Sequence, residues 1–176
     1  DGATAIAEAA SMACSATRRK EILAAKTIHP ESREVLHTYA RFNGGRIFEY
    51  GYKDGKADLA ELEGLLSPDT AAVIIQTPNF FGIIEDLKDL AELVHKNKSL
   101  LIVSCDPISL ALLKSPGELG ADIVVGEGQA MGNQLNFGGP YLGFLAAKTE
   151  LMRKMPGRIV GETVDSTGKR AFVLTI

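Results

Sequence analysis

Short apolar runs that recur between amphipathic helical segments constrain this chain more than any other feature. Glu21-Ile22-Leu23-Ala24-Ala25, Ala71–Gln76, Leu100–Val103 and Asp122–Val125 read as strands with little polar interruption, and Arg46–Tyr50 as a more mixed one. Between them lie helical patterns. Residues 2–16 are Ala-rich, and a second helix starts at His29-Pro30-Glu31-Ser32, with Val35, Leu36, Tyr39 and Phe42 as its stripe and Asn43-Gly44-Gly45 as its end. Leu59–Leu66 carries Leu59, Leu62, Leu65 and Leu66, and the segment from about Leu87 to His95 carries Leu87, Leu90, Ala91 and Val94. Continuous apolar strands alternating with amphipathic helices predict an α/β fold with a mostly parallel sheet and helices on both faces. Ligands of such sheets sit beyond the carboxyl ends of the strands, which directs attention to the loops after residues 26, 76, 103 and 125.

A chain of 176 residues suits one domain, so residues 1–176 are taken as a single unit with a real core. The net charge of -3 gives no basis for gripping phosphate backbones, so nucleic acid is not an expected partner. No stretch reaches the roughly 20 apolar residues that a spanning helix needs, and no membrane association is expected. Cys14 and Cys105 are the only cysteines and are far apart, which reads as reduced thiols in a reducing compartment. The chain starts inside a helical pattern without Met and ends on the apolar run Ala171–Ile176; we read it as a piece of a longer protein.

Several loops carry chemistry. Asp106 follows the strand Leu100–Val103 and precedes Pro107, where its carboxylate can pair with a protonated ring nitrogen, cap a short helix near Ile108, or do both. Gly2-Ala3-Thr4-Ala5 opens a helix whose free N–H groups and Thr4 hydroxyl can hold a phosphate or form an ordinary cap. Gly126 through Gly132, with Asn133, Gln134, Asn136, Gly138, Gly139 and Pro140, forms a long Gly-rich segment suited to close backbone approach or to a surface loop. Asn79-Phe80-Phe81-Gly82 puts two adjacent aromatics at the same rim, where one ring can face a pocket or partner or both can pack inward. His29, His37 and His95 lack metal-ligand spacing. Arg153-Lys154 through Arg158 and Gly168-Lys169-Arg170 form a basic stretch, either a solvated loop or a contact for an acidic partner.

In a pyridoxal-phosphate (PLP) enzyme of this layout, an Asp after one strand pairs with the pyridinium nitrogen and a Lys in the loop after the next holds the cofactor. Here Asp106 stands in the first position, but no Lys occurs between Lys114 and Lys148. The frame lacks its covalent anchor.

The runs Gln76–Asp86, Gly120–Gly126, Gly138-Gly139-Pro140, and Arg153-Lys154-Met155-Pro156-Gly157-Arg158 through Thr163, with Asp165, Gly168-Lys169-Arg170 and Phe172-Val173-Leu174, closely resemble the glycine decarboxylase P-protein family. Within it the likeness is to subunit 1 (alpha) of the split bacterial form, or the matching N-terminal half of the fused form. The resemblance implies an aspartate-aminotransferase type, PLP-dependent transferase-like fold, with this chain as most of the large domain and the N-terminal segment and small C-terminal domain absent. It also implies a glycine cleavage function: the family decarboxylates glycine with PLP and passes the aminomethyl group to the lipoylated H-protein. The anchoring Lys belongs to subunit 2 (beta), where this chain has Gln129-Ala130. A heterotetramer follows from the resemblance, cytoplasmic in bacteria or in the mitochondrial matrix of a eukaryote.

On that basis Asp106, Gln129 and Thr4 are the expected remnants of a cofactor pocket, and Asn79, Phe80, Asn136, Gly138 and Gly139 the residues expected to shape an interface or active site. No catalytic or metal-binding residue is expected, and the isolated chain is expected to be inactive. A non-catalytic module holding free PLP or another small ligand is the alternative. A self-sufficient PLP lyase or transaminase would need a Lys from outside this chain.

Overall fold

The computed structural model describes residues 1–175. In chain order the elements are α1 (Gly2–Thr17), β1 (Glu21–Ala25), α2 (Pro30–Asn43), β2 (Arg46–Tyr50), the two-residue strands β3 (Tyr52–Lys53) and β4 (Lys56–Ala57), α3 (Leu59–Leu65) and β5 (Thr70–Thr77). Then come α4 (Leu87–Lys96), β6 (Leu100–Cys105), β7 (Ile123–Glu127), β8 (Gly143–Ala147), β9 (Val160–Val164) and β10 (Arg170–Leu174). Single 3₁₀ turns lie at Pro107–Ala111, Gln129–Met131, Asn136–Gly138 and Thr149–Lys154.

The main sheet has the order β2-β1-β5-β6-β7-β8, with every neighbouring pair parallel except β7 and β8. This is the mostly parallel α/β sheet expected from the apolar runs. All residues of β5 except Gln76 are buried, as are Leu101–Cys105 of β6, so both faces of the central sheet are covered. α1 lies across β5, β6, β7 and β8, and α4 lies against β6 with Leu87, Leu90, Ala91 and Val94 buried. Small residues let α1 sit close: Ala7, Ala9, Ala10 and Ala13 are all buried under it.

Two helical stripes are narrower than their sequences suggest. Of Val35, Leu36, Tyr39 and Phe42 only Leu36 is buried, and Phe42 is 80% exposed. α2 packs chiefly on α1 and the edge strand β2 rather than on the centre of the sheet. In α3 Leu62 alone is buried while Leu65 faces outward, for the same reason of an edge position.

Asp side chains start four of the helical turns, Asp1 among them. Asp58, Asp86 and Asp106 each accept a backbone N–H from the first turn that follows, satisfying donors that the helix leaves free. The basic C-terminal stretch is not one loop: Arg153 and Lys154 end a 3₁₀ turn, Arg158 lies in the connection to β9, and Gly168-Lys169-Arg170 belongs to the antiparallel β9–β10 hairpin. Within the hairpin Arg170 pairs with Glu162 at 2.9 Å. Ile176, last of the terminal apolar run, lies outside the described residues.

Candidate functional site

The chain passes from β1 outward to β2 on one side and later returns to β5 on the other, which makes the β1/β5 boundary a switch point of the sheet. A cleft of about 640 Å³ opens there, beyond the carboxyl ends of β1, β5, β6 and β7. The β5–β6 register sets Gln76 beside Ser104, and the β6–β7 register sets Ser104 beside Val125, so the three strand ends reach the cleft together. Gln76 ties the rim: its Oε1 accepts the His29 N–H at 2.9 Å and its Nε2 donates to the Pro78 carbonyl at 3.2 Å.

Asp106 and Gln129 both line this cleft. Asp106 is solvent-exposed, and its Oδ1 accepts the Ile108 N–H at 3.0 Å. The cap is present, and the Asp106 side chain still borders the cavity. Cys105 beside it is buried; burial first and the Asp106 charge second push its thiol up to about 11, which makes it a poor nucleophile at neutral pH.

Gln129 is tied into the Gly-rich loop. Its Nε2 donates to the Gly138 carbonyl at 2.7 Å and its backbone N–H to Glu127 Oε1 at 3.0 Å, so it braces the Gly-rich loop across its base. Gly139 closes that brace at φ 68°, where a Cβ would collide with the Gln134 carbonyl and the Gln129 amide. Asn136 and Gly138 lie in the outer part of the loop, away from the cleft walls, with Asn136 Nδ2 donating to Gln134 Oε1 at 3.1 Å.

The expectation for Thr4 is corrected. Its N–H donates to Asp1 Oδ1 at 2.9 Å and its hydroxyl to the Asp1 carbonyl at 3.0 Å, an ordinary capping arrangement that leaves no donor aimed at a phosphate. Asn79 sits inside its loop rather than at its surface. It is buried, with Nδ2 donating to the Gly55 carbonyl and Glu85 Oε1, both at 2.8 Å, and Oδ1 accepting the Phe81 and Ile83 N–H groups. It organises its own loop from inside. Phe80 is half exposed at the rim, with its ring edge-on to His29 at 5.2 Å and to Phe81 at 5.8 Å.

Sequence reasoning missed Glu127. Its Oε2 accepts the Gly2 N–H at 2.8 Å, at the amino end of α1, and its Oε1 accepts the N–H groups of Gln129 at 3.0 Å and Leu142 at 2.8 Å. Burial pushes this carboxyl up, but the N–H groups of Leu142, Gly2 and Gln129 outweigh burial and hold it below the usual carboxylate range. It is therefore an anion at neutral pH. The only hint in the chain is an acid between Gly126 and Gly128 at the end of an apolar strand. Gly143 permits the approach, since a Cβ there would strike the Asp1 carbonyl.

Among the described residues the lining includes the carboxylates of Asp1, Glu31, Asp106 and Glu127 and contains no Lys or Arg. His29 is its one basic side chain. The other two histidines are engaged elsewhere: His37 faces Glu49 at 3.1 Å and His95 faces Asp122 at 2.8 Å. No helix among the described residues is long and apolar enough to cross a membrane.

A family model described as the glycine cleavage system P-protein matches residues 1–176. The chain is 57% identical over its whole length to a protein of Desulfitobacterium hafniense named probable glycine dehydrogenase (decarboxylating) subunit 1, and covers 40% of it. Thus the chain spans about 40% of the length of the curated relatives it matches. A crystal structure of glycine decarboxylase (P-protein) in inhibitor-bound form superposes with a TM-score of 0.92 at 43% identity, over 100% of this chain and 39% of that one. A Thermus thermophilus aspartate aminotransferase variant superposes with a TM-score of 0.65 at 19% identity, over 88% of this chain and 44% of that one, which shows the fold.

Proposed function

Since the chain belongs to the glycine cleavage system P-protein family, we propose that it is part of the subunit of glycine dehydrogenase (decarboxylating) that does not carry the cofactor lysine. The complete protein would act with a second, beta subunit in a heterotetramer, releasing carbon dioxide from glycine and passing the aminomethyl group to lipoylated H-protein. PLP, when bound to that partner, supplies the electron sink for decarboxylation.

One observation carries the reading: the cleft where this fold places its cofactor is walled by carboxylates, without Lys or Arg, and the loop that would supply an anchoring Lys has Gln129-Ala130. The residues present do not fit PLP. What this chain's own residues offer is surface. Met131, Leu135, Phe137 and Tyr141 project from the Gly-rich loop with most of their area exposed, a patch suited to burial against another chain. Gln129, Asn136, Gly138 and Gly139 hold that loop in shape. Bacterial relatives and the absence of a spanning helix among the described residues support a cytoplasmic setting.

The test is reduction with borohydride after incubation with PLP and glycine. No single lysine should be labelled stoichiometrically and no carbon dioxide released by this chain alone; a stable adduct at one lysine with glycine turnover would sink the proposal. Co-expression of the full-length subunit with a beta subunit should yield activity that neither gives alone.

A further inference from the structure

We infer that the cleft of this chain excludes phosphorylated ligands, PLP included, because the Glu127 carboxylate occupies the place at the amino end of α1 that a phosphate would take. The inference deepens the reading above and rests on it, since it concerns the same cleft.

Folds of this kind hold phosphate on the free N–H groups of a helix amino end, where the dipole favours an anion. α1 is 16 residues long, and its start borders the cleft through Gly2 and Ala3. Two internal carboxylates already satisfy it. Glu127 Oε2 takes the Gly2 N–H at 2.8 Å and Asp1 Oδ1 takes the Thr4 N–H at 2.9 Å, which leaves only the Ala3 N–H without an acceptor among the described residues.

An entering phosphate would have to displace Glu127 from three donors at once. Its Oε1 also serves Gln129 and Leu142, at the two ends of the Gly-rich loop, and these N–H groups would lose their acceptor. The phosphate would then face the carboxylates of Asp1, Glu31, Asp106 and Glu127 with only His29 as a basic neighbour. Glu127 acts here as a built-in substitute for the ligand anion: it keeps α1 docked on β7 while the pocket loses its affinity for the cofactor.

The probe is deoxypyridoxine phosphate, which has the ring and phosphate of PLP but no aldehyde, titrated into isotope-labelled chain while backbone amides are followed by NMR. In the native chain the Gly2 and Ala3 amides should not shift at low millimolar probe. Glu127→Gln keeps an acceptor for Gln129 and Leu142 but turns an N–H₂ toward Gly2; binding should tighten by about tenfold or more, with Gly2 and Ala3 shifting. Saturable shifts at those amides in the native chain would overturn the inference. So would a folded Glu127→Gln chain with no gain. If that variant does not fold, the native titration decides alone. Native binding without a borohydride-reducible adduct would defeat this inference and leave the proposed function standing.

Discussion

The carboxylate of Glu127 and the backbone N–H of Gly2 meet at 2.8 Å across 125 residues of sequence. This bond joins the last residue of β7 to the first of α1, and through Gln129 and Leu142 the same carboxylate pins both ends of the Gly-rich loop.

Glu127→Ala removes the acceptor of three N–H groups. The donors left unmet, two of them part-buried, cost about 1–3 kcal/mol in total, so the free energy of unfolding should fall by that amount and the urea midpoint should drop accordingly at unchanged slope. Amide exchange should quicken first at Gly2 and Leu142, and equal protection there would show that the bond does not hold the junction.

Asp122 is buried and accepts from Lys148 Nζ, from His95 Nε2 at 2.8 Å and from the Leu101 N–H at 2.8 Å, linking the residue after β8 to α4 and β6. Burial pushes its carboxyl up, but Lys148, Leu101 and His95 together hold it below the usual range. A carboxyl lowered by folding stabilises above its unfolded pKa, and that contribution is lost as pH falls through the folded value. Asp122 and Glu127 act in the same direction, so the urea midpoint should drop below about pH 4. Asp122→Asn should be less stable than the native chain at pH 7 and lose less on acidification.

Lys148 and His95 are each 39% exposed and can turn to water if Asp122 is removed. Asp122→Ala should therefore cost about 1–3 kcal/mol, chiefly for the buried Leu101 N–H, rather than the larger loss typical of a wholly buried ion pair. Thermal or urea unfolding measures it directly.

Gly139→Ala forces a Cβ onto the Gln134 carbonyl and the Gln129 amide at a φ of 68°. Strain of about 1–3 kcal/mol should open the loop locally. Limited proteolysis between Gln129 and Leu142 should accelerate while the sheet core keeps its exchange protection; an unchanged digestion pattern would count against the brace.

Asn79→Ala leaves the Gly55 carbonyl, Glu85 and the Phe81 and Ile83 N–H groups without their shared partner. A loss of about 1–3 kcal/mol is expected, with the Phe80 and Phe81 rings losing their fixed positions in aromatic NMR spectra. Asn79→Asp should not rescue it, because the carboxylate would face Glu85.

The helix and strand order was legible because burial repeats locally: β5 and β6 are apolar without interruption, and Leu87, Leu90, Ala91 and Val94 fall on one helical face. Phe42 and Leu65 obey the same periodicity yet face solvent, since periodicity cannot tell an edge from the centre of a sheet. Asp106 was placed correctly at the rim because a strand followed by Asp-Pro specifies both a position and a turn. Thr4 and Asn79 were placed near the right loops, but their side chains close on Asp1, Gly55 and Glu85.

By itself the sequence determined the alternating apolar pattern, the family likeness and the absence of a Lys between Lys114 and Lys148, all properties of residues and their neighbours. Only the tertiary structure decided what stands in the cleft. The sheet order and the seat of α1 across β5 to β8 bring Gly2 to Glu127, and the turn at Gly139 brings Gly138 to Gln129. Contacts at such separations depend on how whole elements pack, and no local period encodes that.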